Sequence, residues 1–201
     1  KDSPQKDYLI LESRDQLGGT WDLFRYPGIR SDSDMTTMGF RFKPWKGEKL
    51  VAEGGAILDY LHEIADENKI KEKIQYHSHV ESAAWSSDMA QWSINYRNKL
   101  DNSKSVLTCD FLYLCVGYYD YDQGYEPDFK GRDNFKGQII HPQKWPNDLD
   151  YSGKRVVVIG SGATAVTIIP SMAEKTEHIT MLQRSPTYYM IRPNKSPFGN
   201  F

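Results

Sequence analysis

Two periods of apolar spacing run through this chain, and each predicts its own elements. Tyr8-Leu-Ile-Leu-Glu12 is a short apolar run closed by an acid and predicts a buried strand. Residues 13–33 set Gly, Asp and Arg around Tyr26-Pro27-Gly28, which predicts a loop with tight turns. From Gly54 to Asn68, Ile57, Leu58, Leu61, Ile64 and Ala65 recur at helical spacing, the mark of an amphipathic helix. Ile74–His77, His79–Trp85, Gln91–Tyr96 and Ser105–Leu107 read as short strands, the last three forming a β-meander. Asp110–Gly117 is a second continuous apolar run, expected as a buried strand ending in glycine. Tyr118–Gly153 has many Asp, Tyr, Gly and Pro residues and little period, as a linker does. Lys154–Ile159 is expected as a buried strand, followed by a helix to about Glu174 and a strand over His178–Gln183.

Composition narrows the class. The chain has 201 residues, enough for one domain or one and a fraction. Charged residues make up 26% and the AVILMFWYC set 39%, which fits a globular protein rather than a disordered tail. A net charge of −2 supplies no basic footprint for nucleic acid. Apolar runs such as Val156–Ile159 are far too short for a transmembrane segment. The polar start, Lys1–Asp7, does not read as a leader. Two cysteines, Cys109 and Cys115, cannot build a disulfide scaffold, so a reducing, cytoplasmic setting is expected. Their spacing also lacks the close pairing of a redox dithiol, which leaves them as small hydrophobes. His77 and His79 lie two apart with no Cys or His cluster to complete a metal site, so none is expected.

The first chemical motif is Gly160-Ser161-Gly162-Ala163-Thr164-Ala165. A glycine string is weak by itself, but this one follows an apolar strand and opens a helix. Gly160 permits the tight turn, and Gly162 lets a pyrophosphate approach the backbone. The free N–H groups of Ala163 to Ala165 then favour that anion. Ala165 is a small residue where a third glycine often packs helix on strand. After the next strand stand Arg184 and Ser185, close to the interval of roughly 20 residues at which the ribose is read. A cation there suits a 2′-phosphate, Ser185 or Thr187 adds a hydrogen bond, and NADPH is favoured over NADH.

At the other end, Glu12 closes a strand as a ribose-binding acid does, and Gly18-Gly19-Thr20-Trp21 supplies a glycine turn beyond it. No Gly-x-Gly-x-x-Gly precedes Glu12. Either the acid is incidental, or the chain is a fragment that starts inside a nucleotide-binding domain.

Phe135-x-Gly137-x-x-x-His141-x-x-x-Trp145-Pro146 then matches the fingerprint of Baeyer–Villiger monooxygenases, a family of class B flavoprotein monooxygenases. Gly18–Asp34 resembles the flavin-binding loop of that family, and Cys115-Val116-Gly117 stands where it has a second flavin-side strand end. The resemblance covers essentially the whole chain and decides for a fragment. It implies an α/β, two-dinucleotide-binding-domain flavoprotein: a Rossmann-like FAD domain with a β-meander, and an inserted Rossmann-like NADPH domain, both incomplete here. The expected boundaries are 1–134 for the FAD domain, 135–150 for the fingerprint linker and 151–201 for the NADPH domain. The implied cofactors are FAD and NADPH. The implied chemistry uses a C4a-peroxyflavin and O2 to oxygenate a ketone, thioether or thioamide, with the flavin carrying the reaction and the protein shielding it.

The resemblance also assigns residues. Asp32 aligns with an acid that orients a mechanistic arginine, which is expected outside this chain; its other reading is a turn-capping aspartate. Trp21 and Tyr26 line the flavin or simply pack a core, and Arg30 is a flavin contact or a partner of Asp34. Val80 resembles a position whose backbone meets the adenine. His141 reads as part of a hinge rather than a general base, and Trp145 as an aromatic anchor. Two alternatives stay open: a flavin-containing N- or S-monooxygenase, and an inactive fragment that holds FAD poorly and aggregates.

Overall fold

A chain with this pattern folds into two parallel strand pairs and one antiparallel meander. The computed structural model describes residues 6–191 and 194; the ends of the expected terminal domains, 1–5, 192–193 and 195–201, lie outside the described residues. In chain order the elements are β1 (Ile10–Leu11), α1 (Thr20–Leu23), α2 (Met35–Met38), α3 (Gly54–Glu67), β2 (Ile74–Gln75), β3 (Ser78–Ser86), β4 (Gln91–Asn98), β5 (Lys104–Cys109), β6 (Arg155–Ile159), α4 (Ala163–Ala173) and β7 (His178–Leu182). The class is α/β. Two compact units form: residues 1–19 with 61–119, and residues 20–60 with 120–201.

In the first unit, β1 and β2 pair in parallel, Ile10 opposite Ile74 and Leu11 opposite Gln75. A parallel pair needs a long crossover, and the chain between them supplies it. The ladder runs on past β1, where the Glu12 N–H donates to the Gln75 carbonyl and the Ser78 N–H to that of Glu12. The meander has β4 in the centre. Ile94 sits in its middle, opposite Ala83 and Leu107, and is only 2% exposed. Trp85 and Trp92 face each other across β3 and β4, ring centroids 5.6 Å apart at 58°. Glu81 lies between cations, 3.0 Å from Arg97 Nε and 3.4 Å from Lys104 Nζ. The register shifts between Val80 and Ser82, a bulge that lies beside Glu81.

Two expectations fail in this unit. Asp110–Gly117 is not a strand, and Phe111, Tyr113, Leu114 and Val116 are exposed. Apolar character signals a need for cover but does not supply a ladder partner, and no strand among the described residues pairs with this run. For the same reason Tyr8–Glu12 yields only the two residues of β1, with Tyr8, Leu9 and Ile10 exposed. Cys115 is likewise exposed rather than filling a core.

In the second unit, Asp34 caps α2: its Oδ1 accepts from the Thr37 N–H at 2.9 Å. Ser31 is buried and bridges the loop, donating to the Ser33 carbonyl and accepting from the Ala52 N–H. Tyr60 of α3 gathers Phe40 and Trp45 around its ring. The other half of the unit is a βαβ motif. β6 and β7 are parallel, in register from Arg155 opposite His178 to Ile159 opposite Leu182. Val156, Val158 and Ile179 turn toward a core made by Phe24, Tyr26, Ile168 and Met172, with Trp145 and Tyr151 packed on its edge. Each of the apolar side chains buried there contributes about 1.5–3 kcal/mol. The opposite face of the strand pair is open: Val157, Ile159 and Leu182 are exposed, so β6 is buried on one face only.

Candidate dinucleotide site

The site is built at the end of β6. Gly160 takes φ +126°, a conformation closed to most side chains, and its N–H donates to the Leu182 carbonyl at 2.9 Å. That bond ties the loop to the neighbouring strand. Gly162 is the N-cap of α4 and brings no side-chain cap to the helix. The first helical bond is from the Val166 N–H to the Gly162 carbonyl, 3.1 Å. The amides of Ala163, Thr164 and Ala165 precede that bond and need an acceptor from outside the helix. A Cβ built on Gly160 or Gly162 meets no atom within 4 Å. Among the described residues the loop therefore combines N–H groups without an acceptor and room beside the backbone, which fits a dinucleotide pyrophosphate.

Arg184 and Ser185 follow the end of β7 and are exposed. No ion pair engages Arg184 among the described residues, so its guanidinium is available to a phosphate. Thr187 is already engaged: its hydroxyl lies 2.6 Å from that of Ser161. Tyr189 donates to the Ser161 carbonyl at 3.4 Å, so the segment after β7 returns to the glycine loop.

A second segment reaches this helix. Tyr26–Ile29 forms a turn closed by the Ile29 N–H on the Tyr26 carbonyl, 3.3 Å, with Gly28 at φ +75°. The turn lies on α4, where a Cβ on Gly28 would stand 1.9 Å from Ser171 Oγ and 3.0 Å from the Thr167 carbonyl. The Tyr26 ring is buried against Ile168 and Met172 and meets Phe24 edge-on at 5.9 Å. Burial pushes the Tyr26 pKa up, the Thr164 hydrogen bond opposes that rise, and the Asp32 carboxylate adds to it. Asp32 itself is exposed. The capping role considered for Asp32 belongs instead to Asp34. No sequence signal announces the seating of the Tyr26 turn on α4, because it depends on a contact between segments far apart in the chain.

The remaining residues are placed as follows. Glu12 accepts from the Arg14 N–H at 2.9 Å, and Arg14 donates to the Gly19 carbonyl at 3.1 Å. Glu12, Gly18, Gly19, Val80 and Gly117 belong to the first compact unit; Thr20, Trp21, Tyr26, Arg30 and Asp32 belong to the second. Arg30 forms a β-bridge with Glu53. Phe135 closes a single turn over Arg132–Asn134 and covers Gly137 with its ring. His141 Nδ1 accepts from the Gln143 N–H at 3.2 Å and so caps the turn Pro142–Lys144. Its ring lies against Gly124, where any Cβ would clash. Buried Gln143 donates to the Asp120 carbonyl. Trp145 packs edge-on to Tyr151 at 6.4 Å. No group of three metal-ligating side chains is found among the described residues, and none of their helices is long and apolar enough to cross a membrane.

The model of the family described as flavin-binding monooxygenase-like matches residues 50–199. The chain belongs to that family. Among flavin-binding monooxygenase-like relatives, the FAD-containing monooxygenase EthA of Mycobacterium tuberculosis H37Rv is 54% identical over 193 residues, covering 96% of this chain and 39% of EthA. An oxidized steroid monooxygenase bound to NADP superposes with a TM-score of 0.80 at 30% identity, covering 93% of this chain and 36% of that one. Cyclohexanone monooxygenase from Rhodococcus sp. Phi1 bound to NADP+ gives a TM-score of 0.72 at 30% identity, over 90% of this chain and 34% of that one. The chain therefore spans between a third and two fifths of these family members.

Proposed function

We propose that the chain is the cofactor-binding portion of an FAD- and NADPH-dependent monooxygenase of Baeyer–Villiger type. One observation carries this reading: a glycine loop that, among the described residues, has three amides without an acceptor and open space beside it, followed across β7 by an Arg184 that no described residue pairs with. The NADP-bound steroid and cyclohexanone monooxygenases and the FAD-containing EthA support it. In this reading the amides of α4 hold the pyrophosphate, Arg184 and Ser185 hold the 2′-phosphate, and Glu12 with residues 18–32 serves the flavin. Asp32 is the residue with a catalytic assignment, through the orientation of an arginine. The bound flavin supplies electron transfer from NADPH and activation of O2. One oxygen atom enters a ketone or a sulfur substrate, and the other leaves as water.

Titration calorimetry of the chain with NADP+ and NAD+ tests the nucleotide assignment. The expected result is binding of NADP+ in preference to NAD+, with Arg184→Ala removing the preference; equal loss for both nucleotides rejects the cation's role. Mixing the FAD-loaded protein with NADPH, O2 and a ketone or thioether tests the chemistry. Oxidation of NADPH without ester, lactone or sulfoxide rejects it. The exposure of Phe111, Tyr113, Leu114 and Val116 favours a second reading, in which this chain by itself holds FAD poorly. A yellow, monomeric, FAD-saturated preparation would rule that out.

A further inference from the structure

We infer that Ser161 and Thr187 form a latch that sets Arg184 against the glycine loop, which makes both of them positioning residues for the nucleotide 2′-phosphate. The inference rests on the dinucleotide reading of the loop and deepens it, because it gives a cation on an exposed segment a fixed place.

The segment after β7 is tied at both ends to two adjacent residues of the loop. Before it, Ile159 pairs with Leu182, and the Gly160 N–H donates to the Leu182 carbonyl at 2.9 Å. Beyond it, the Thr187 hydroxyl lies 2.6 Å from that of Ser161, and the Tyr189 phenol donates to the Ser161 carbonyl at 3.4 Å. Tyr189 also reaches Met181 Sδ of β7 at 3.6 Å. Residues 183–186 therefore form a short arch whose feet stand on Gly160 and Ser161.

Within the arch, Gln183 Nε2 donates to Met181 Sδ at 3.0 Å. Arg184, Ser185 and Pro186 are exposed and bond to no described residue. Pro186 holds its own φ near about −65° and keeps Ser185 out of the helical region. A four-residue arch so stiffened moves as one piece, and the hydroxyl pair at its far foot decides where that piece rests. A nucleotide with a 2′-phosphate has to meet the amides of Ala163 to Ala165 and the Arg184 guanidinium at once. A guanidinium already set at the right distance loses little freedom on binding, whereas one on a loose segment is ordered at the expense of affinity. A nucleotide without that phosphate engages the glycine loop alone and is indifferent to where the arch rests.

The test measures NADP+ and NAD+ binding to the 201-residue chain by calorimetry. Ser161→Ala and Thr187→Val are each expected to weaken NADP+ by about three- to tenfold, the value of one hydrogen bond, and to leave NAD+ unchanged. Thr187→Ser, which keeps the hydroxyl, should bind as the parent does. The double variant Ser161→Ala with Thr187→Val should be no worse than either single one, because the two share one interaction. Undiminished NADP+ binding by either single variant overturns the inference and leaves the dinucleotide reading intact. Losses that multiply in the double variant also overturn it, since each hydroxyl would then hold the nucleotide by itself. An equal loss for NAD+ overturns it as well, because a disturbed glycine loop would be the cause. Failure of the unsubstituted chain to bind NADP+ overturns the dinucleotide reading and the inference together.

Discussion

Gly28→Ala isolates the seat of the Tyr26 turn on α4. Two costs apply. A left-handed φ of +75° disfavours alanine by about 1–2 kcal/mol. The new methyl also stands 1.9 Å from Ser171 Oγ and 3.0 Å from both Ser171 Cβ and the Thr167 carbonyl. The hydroxyl can rotate away, but the carbonyl belongs to the helix and cannot, so overpacking adds about 1–3 kcal/mol. The sum of about 2–5 kcal/mol is a large part of a domain's stability. It corresponds to a fall of about 4–20 °C in Tm for a chain of this size. Thermal unfolding followed by far-UV circular dichroism measures it. Combining Gly28→Ala with Ser171→Ala should recover part of the steric cost and none of the backbone cost. A Gly28→Ala protein within about 0.5 kcal/mol of the parent would refute the seat. A double variant no more stable than Gly28→Ala would leave the cost with the Thr167 carbonyl and backbone strain, and none with the Ser171 hydroxyl.

Further predictions separate fold from function. Gly162→Ala should fold normally, because Gly162 has φ −79° and no neighbour within 4 Å, yet lose NADP+ affinity at least about tenfold in calorimetry as the methyl fills the space an anion needs. Unchanged affinity would show that no phosphate approaches there. Asp34→Ala should cost about 0.5–2 kcal/mol by removing the cap of α2, with Asp34→Asn close to the parent in urea unfolding. Arg97, then Lys104, hold the Glu81 carboxyl below its ordinary value. Because the folded value is the lower one, its contribution is present above the unfolded carboxylate pKa of 4.5 and is lost as pH falls through the folded value. Glu81→Gln should therefore flatten the acid limb of the meander's melting profile and leave the neutral region parallel, an effect that shrinks in high salt. A profile unchanged on the acid limb would remove Glu81 from the account.

Much of this fold is legible in the sequence. The helix over Gly54–Glu67, the three strands of the meander and the β6–α4–β7 motif are long enough for their periods to speak, and local chemistry marks their ends. The four-residue helices α1 and α2 carry too few turns to leave a period. The run 110–117 misled because an apolar pattern measures the wish for burial, whereas a strand also requires a neighbour with free N–H and C=O groups. The glycine loop was readable in its type and order. The approach of Tyr26 and Gly28 to α4 was not, since nothing near Tyr26 in sequence names Ile168, Met172 or Ser171 as its neighbours. His141 illustrates the same limit: the spacing singled it out, but only the structure sets it as the cap of a short turn over Gly124.

The Trp85–Trp92 pair has a practical consequence. Two indoles held at 5.6 Å and inclined by 58° on a chiral ribbon are coupled chromophores, and their near-ultraviolet and far-ultraviolet transitions split into bands of opposite sign. That Trp–Trp signature arises in the hairpin of β3 and β4. It gives this region an intrinsic thermometer, so its melting can be timed against that of the nucleotide motif without attaching a dye.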